Sequence, residues 1–202
     1  MSTRRAAGPA PPGHVRVIGG RLRGSKLGVP VVPGLRPTPQ RLRQTLFDWL
    51  APVIHGARVL DAFAGSSALG IEALSRGAAH VLFVERDRAQ AEAVEADLRR
   101  LHQANATVRC ADALQLFSHD AAERFDIVLL DPPFEAGAWQ RAVDLLAAHG
   151  WLAQPAWVYV EAATAAAIAP PRGWRLHRQT RAGAVWGTLY HAAEPGGGWP
   201  ER

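Results

Sequence analysis

Asp131-Pro132-Pro133-Phe134 combines residue types that specify a chemistry. The two prolines lack backbone donors and fix their own φ, so a rigid turn presents carbonyl oxygens beside the Asp131 carboxylate. Acceptors without donors suit an incoming NH2 group, and Phe134 adds an aromatic face on which a planar base can stack. Upstream, Asp61-Ala62-Phe63-Ala64-Gly65-Ser66-Ser67-Ala68-Leu69-Gly70 sets a carboxylate before a run of small residues. Small residues at a strand-to-helix turn let the backbone approach a ligand closely. Glu85 follows Asp61 by 24 residues, the spacing at which an acid at the next strand end accepts both hydroxyls of a ribose. Arg86 adjoins it, and Asp112-Ala113 offers an acceptor for an adenine amino group. Singly, each carboxylate reads as a helix cap or a surface acid. Three at successive strand ends read as a nucleotide-type site.

Strands and crossing helices must position these groups. From residue 58 onward, short apolar strands at 58–61, 79–84, 106–110, 125–130 and 157–161 alternate with helical patterns near 68–76, 88–104, 112–118 and 138–149. That alternation implies right-handed crossovers and a mainly parallel sheet covered on both faces. Segments 174–180 and 184–191, joined by Arg181-Ala182-Gly183, have no helix between them and predict a closing antiparallel hairpin. The expected fold is α/β: a doubly wound, mostly parallel seven-stranded Rossmann-like sheet with a C-terminal antiparallel hairpin. Before it, segments 15–18 and 21–27 flank Gly19-Gly20 and predict a small basic hairpin with arginines projecting. Residues 38–50 place Leu42, Leu46, Phe47, Trp49 and Leu50 at helical spacing, with Thr38-Pro39 as cap and first turn and Arg41 and Arg43 on the exposed side. Residues 1–13 and 193–202 read as disordered tails. Between them lie a basic segment at 14–50 and a larger domain at 51–192.

A chain of 202 residues should bury roughly 70% of its unfolded surface, enough for one core. With 48% hydrophobic and 20% charged residues, the composition excludes disordered, collagen-like and coiled-coil chains. The single cysteine, Cys110, excludes a disulfide framework or a cysteine-rich zinc module and reads as a small core residue. The histidines show no metal-ligand spacing, so no metal is expected. Without a membrane span or an apolar leader, the protein is expected to be cytoplasmic. Charge is unevenly placed: residues 1–47 hold nine basic side chains and no acid, and the rest of the chain is net negative. That is the electrostatic footprint of a phosphate-backbone partner, with Arg21, Arg23, Arg36, Thr38, Arg41 and Arg43 as candidate contacts.

Asp61-Ala-Phe-Ala-Gly65, Glu85 and Asp131-Pro-Pro-Phe134 resemble the motifs of class I S-adenosylmethionine-dependent methyltransferases that act on exocyclic amino groups of bases. Arg16-Val-Ile-Gly-Gly20, Gly34-Leu-Arg-Pro-Thr38, Thr45-Leu-Phe47, Trp49-Leu-Ala-Pro52, Ala68-Leu-Gly-Ile-Glu-Ala-Leu-Ser75 and Gly150-Trp-Leu-Ala153 are similar to the RsmD family. That resemblance, from about Val15 to Tyr190, implies methylation of guanine N2 in 16S ribosomal RNA, within the small subunit or an assembly intermediate. It also implies S-adenosylmethionine bound by Asp61, Phe63, Ala64, Gly65, Ser66, Ser67, Leu69, Glu85, Arg86, Asp112, Ala113 and Asp131. Asp131, Pro132, Pro133 and Phe134 would then be catalytic, and no membrane or obligate protein partner is implied. Ser67 stands where the family usually has a second glycine, and Gln44 where it usually has glutamate. Rival readings are a DNA amino-methyltransferase, another RNA base N-methyltransferase, a nicotinamide oxidoreductase and a catalytically silent RNA-binding module. The oxidoreductase reading lacks G-x-G-x-x-G, and an intact acceptor tetrapeptide argues against the silent module.

Overall fold

The computed structural model describes residues 14–28, 39–132, 138–164 and 168–193. Expectations for Arg36, Thr38, Pro133, Phe134 and most of the two tails fall outside these residues. The basic segment forms β1 (His14–Arg16), β2 (Lys26–Gly28) and α1 (Gln40–Leu50). The domain continues as β3 (Arg58–Asp61), α2 (Ala68–Ser75), β4 (His80–Glu85), α3 (Arg88–Arg100), β5 (Ala106–Cys110) and α4 (Ala113–Phe117). It ends with β6 (Phe125–Leu130), α5 (Ala138–Ala148), β7 (Leu152–Ala162), β8 (Trp174–Ala182) and β9 (Val185–Ala192).

Seven strands form one sheet in the order β5-β4-β3-β6-β7-β9-β8. The first five pair in parallel, and β7, β9 and β8 pair antiparallel, as the sequence pattern predicts. Continuous apolar runs such as Val81 to Val84 make the central strands, because helices cover both of their faces. One face packs on Leu46, Phe47 and Leu50 of α1 and on α2 and α3; the other packs on Phe117 of α4 and on Trp139, Val143 and Leu146 of α5. β7 is longer than the predicted 157–161. It includes Pro155, and its pairing with β6 shifts register between Phe125 and Ile127, where a residue without an N–H can be accommodated. Cys110 is exposed at the end of the edge strand β5, contrary to its reading as a core residue.

The N-terminal hairpin differs most from expectation. β1 and β2 are three residues each, and Gly19-Gly20 does not close them. Instead the connecting loop docks on α2. Glu72 accepts from the backbone N–H groups of Ile18 and Gly19, both at 2.8 Å, and from Arg76 Nε at 2.9 Å. Ser75 Oγ accepts from Leu22 N, and its carbonyl accepts from Arg21 N. Gly20, with φ +72°, sits so close that an added Cβ would lie 2.0 Å from the Ser75 carbonyl oxygen. Arg100 Nη2 donates to Lys26 O, and Gly28 N to Asp97 Oδ2, which ties β2 to α3. Covered by the sheet on one side and this loop on the other, all eight residues of α2 are buried, including Glu72 at 0% exposure.

Candidate active site

Strand β3 is followed by β4 on one side, and the chain later returns to place β6 on the other. This reversal of strand order opens a crevice outside the carboxyl ends of the strands, the usual ligand position in open α/β sheets. Asp61 ends β3 opposite Leu129, and Asp131 directly follows β6, so the two carboxylates belong to adjacent strand ends. Asp61 is 2% exposed, and its Oδ2 accepts from Gly70 N in α2 at 2.9 Å. Gly70 permits this approach, since a Cβ there would lie 2.2 Å from Phe83 and 2.9 Å from Asp61 Oδ2. Burial pushes the Asp61 carboxyl up to about 7; the Gly70 hydrogen bond opposes the shift, and the charges of Asp131 and Glu85 add to it.

Glu85 ends β4 and turns into the crevice. Its Oε2 accepts from Gly65 N and its Oε1 from Asp87 N, each at 2.8 Å, leaving further lone pairs for a ligand. The intervening turn is folded by Ala64 N to Val84 O and Ser67 N to Ala64 O hydrogen bonds. Ser67 has φ 58° and ψ 9°, so the turn requires the left-handed region that a glycine adopts without strain. The serine is 1% exposed and donates its Oγ to Ser66 O. Phe63 and Gly65 are half-buried along the turn, and Ala64, Ser66 and Leu69 are buried. Asp112 is exposed and caps α4, with Oδ1 accepting from Gln115 N; Ala113 is buried behind it. Arg86 is exposed next to Glu85. Pro132 is buried beyond the half-buried Asp131.

Two residues near this crevice carry no earlier assignment. Glu161 of β7 is level with Asp131, because Val160 pairs with Leu130, and it is 2% exposed. Tyr159 donates its hydroxyl to Glu161 Oε1 at 3.1 Å. Burial, followed by the charges of Glu161 and Asp131, drives the Tyr159 pKa well above its usual value, so this hydroxyl stays a donor. Glu85, Asp61, Asp131 and Glu161 thus end four consecutive strands with acids, and the last was legible in the sequence as a carboxylate closing an apolar run.

Arg43 corrects one expectation. It is not on the exposed side of α1 but 2% exposed, with Nη2 donating to Arg16 O at 2.7 Å. Burial lowers its pKa, while Glu72 and Glu161 act in the opposite sense. Arg21, Arg23 and Arg41 are exposed as expected; Arg21 Nη2 also donates to Gln103 Oε1.

A family model described as conserved hypothetical protein 95 matches residues 15–191. Ribosomal RNA small subunit methyltransferase D of Escherichia coli strain K12 is 45% identical over 185 residues, covering 91% of this chain and 93% of that protein. The chain belongs to the RsmD family. The RsmD protein of Haemophilus influenzae is 40% identical over 192 residues, covering 90% of this chain and 96% of its own length. A solved Escherichia coli structure described as a methyltransferase superposes with a TM-score of 0.81 at 45% identity, over 90% of this chain and 99% of that one. In this RsmD chain, the crevice at the carboxyl edge of β3, β4 and β6 is the candidate active site.

Proposed function

We propose that this chain transfers a methyl group from S-adenosylmethionine to the N2 amino group of a guanine in 16S ribosomal RNA. The substrate is the small subunit or an assembly intermediate, and no obligate protein partner is needed. The observation that carries the reading is the buried Asp61 beside Asp131 at the strand-order reversal. An acid held partly protonated first by burial and then by its acidic neighbours marks a pocket short of positive charge, and a ligand bearing sulfonium and ammonium groups fits it. Asp61 and the turn from Phe63 to Leu69 would hold the methionine part, Glu85 the ribose hydroxyls, and Asp112 with Ala113 the adenine, with Arg86 alongside.

When bound, S-adenosylmethionine would supply an electrophilic methyl on a positively charged sulfur, with neutral S-adenosylhomocysteine as the leaving group. The guanine amine is a weak nucleophile because its lone pair is delocalised into the ring. The Asp131 carboxylate and the Pro132 carbonyl accept its hydrogens, which localises the lone pair and fixes its direction. Asp131 receives the proton once the nitrogen gains its fourth bond, so it need not ionise the amine beforehand. By residue type alone, Phe134 would stack the unstacked base and Pro133 would restrict the backbone beside it. No covalent enzyme intermediate is required. The test is transfer of labelled methyl to small subunits lacking the modification, with naked RNA and duplex DNA alongside, followed by mass spectrometry of the nucleosides. N2-methylguanosine is the expected product. Methyladenine in DNA with unlabelled RNA would reassign the substrate.

Asp61 gives a pH signature. In the ligand-free protein its folded pKa of about 7 lies above the unfolded carboxyl value near 3.8, so the unfolded chain binds fewer protons between these values. The stability contributed by this group is present below the unfolded pKa and is lost as pH rises toward 7. A cationic ligand favours the ionised form, so cofactor affinity is expected to rise with pH up to about 7 and to be accompanied by proton release. Calorimetry in buffers of different ionisation enthalpy reads the protons. The same release from Asp61→Asn would assign them to another group.

RNA contact by the basic segment divides its arginines. Arg41→Glu is expected to weaken RNA binding and lower the slope of log affinity against log salt by about 0.7. Arg43→Met, with the guanidinium already buried, leaves that slope unchanged; a fall equal to that of Arg41→Glu would return Arg43 to the RNA surface.

A further inference from the structure

Residues 162–193 contain four arginines and no acidic residue, a second basic island separated from the first by a mostly acidic domain. Four exposed arginines of the domain body are paired with carboxylates: Arg58 with Glu123, Arg88 with Glu92, Arg99 with Glu95 and Arg100 with Asp97. Arg178 and Arg181 of β8 are exposed, and neither pairs with a carboxylate among the described residues. Arg181 donates Nε to Gly183 O, and its guanidinium lies 5.6 Å from the ring centre of the half-buried Trp186. The turn thus holds an uncompensated cation against an aromatic face.

Strand register puts this turn beside the active site. Leu130 of β6 pairs with Val160 of β7, Ala162 of β7 with Trp186 of β9, and Trp186 with Arg181 of β8. Counting two residues past Leu130, Arg181 is level with Pro132 and three strand spacings away, about 14 Å. Because β9 runs antiparallel to β7, the β8–β9 turn emerges at the carboxyl edge that carries Asp61 and Asp131. α1 packs on β8 and β9 with its N-terminal half toward this edge: a Cβ on Gly187 would touch Leu42. Exposed Arg41 belongs to the same half of α1, so it and the β8–β9 turn flank one side of the crevice.

We propose that the β8–β9 hairpin is a second RNA-backbone clamp, in which Arg178 and Arg181 bind phosphates a few nucleotides from the base held at Asp131. This rests on the RNA-methyltransferase reading above. The two arginines act as compact groups of fork-shaped donors suited to phosphate oxygens. The clamp works with the N-terminal segment by holding the strand on both sides of the unstacked nucleotide.

The opposing explanation is edge protection, since charged side chains keep an outer strand such as β8 from pairing with another copy. Charge reversal separates the two, because R178E/R181E leaves the edge charged but repels phosphate. Binding to small ribosomal subunits lacking the modification is titrated against salt, with methyl transfer, cofactor affinity and oligomeric state measured on the same samples. The expected result is a loss of RNA affinity on the order of tenfold or more and a salt slope lower by about 1.4, for two single-strand phosphate contacts. KM for RNA rises, while kcat, cofactor affinity and oligomeric state stay at wild-type values. Normal binding and methylation by wild type with an unchanged variant would overturn the clamp alone. Wild type that neither binds nor methylates these subunits would overturn both the clamp and the reading beneath it. A neutral R178Q/R181Q variant that self-associates yet binds RNA normally would assign the arginines to edge protection and overturn the clamp.

Discussion

Asp131→Ala is expected to lower turnover by about a thousandfold while cofactor affinity stays within about threefold of wild type. Asp131 follows β6 directly, and Pro132 behind it is buried, so removing the carboxylate leaves the turn's scaffold standing. What disappears is the charged acceptor that localises the amine lone pair and takes its proton. Asp131→Asn keeps one acceptor oxygen but replaces the other with a donor, and its loss should fall between wild type and Ala. Single-turnover methyl transfer together with calorimetric cofactor binding separates the two quantities. The Ala variant carries a second signature. Asp131 is one of the charges holding the Asp61 pKa up, so its removal shifts the pH range of cofactor-linked proton release downward. Parallel loss of turnover and cofactor affinity would mean that Asp131 holds the cofactor rather than the amine.

Glu72→Gln is expected to destabilise the protein by about 3–5 kcal/mol. Glu72 is fully buried, and its two oxygens accept from Ile18 N, Gly19 N and Arg76 Nε. The substitution keeps the shape but presents an amide donor where donors already converge, and it leaves the largely buried Arg76 without its nearest charge. For a chain of this size the corresponding fall in Tm is about 10 °C. Hydrogen exchange at Ile18 and Gly19 should accelerate more than exchange in β4, because the hairpin loses its attachment first. A Tm within about 2 °C of wild type would remove Glu72 from the role of anchor.

The sheet was legible because its signals are local: short apolar runs, intervening helical periods and a hairpin without a helix. The crevice was legible for a different reason. Asp61, Glu85 and Asp131 each stand at the end of such a run, and the order of strands places those ends together. Glu72 was hidden because only Arg76, one helical turn on, is near it in sequence; its other partners are backbone N–H groups more than fifty positions away. Arg43 was misplaced although the spacing contained the answer: it precedes Leu46 by three residues and Phe47 by four, which sets it within the buried stripe of α1. Ser67 could be located in the turn, but its positive φ depends on how the chain passes from β3 into α2, and residue type alone favours the opposite sign.

Helix α2 touches the turn after β3 at one end, through Gly70 and Asp61, and the basic hairpin at the other, through Glu72 and Ser75. Its eight residues have no solvent face on which to slide or rotate. The hairpin is therefore not a portable module, despite its position at the beginning of the chain. A chimera that exchanges residues 14–28 alone would bring a loop shaped for another helix, and it would fail unless Glu72 and Ser75 came with it. Substitutions that leave this docking intact are confined to outward side chains such as Arg21 and Arg23, because the loop backbone and α2 pack as one piece.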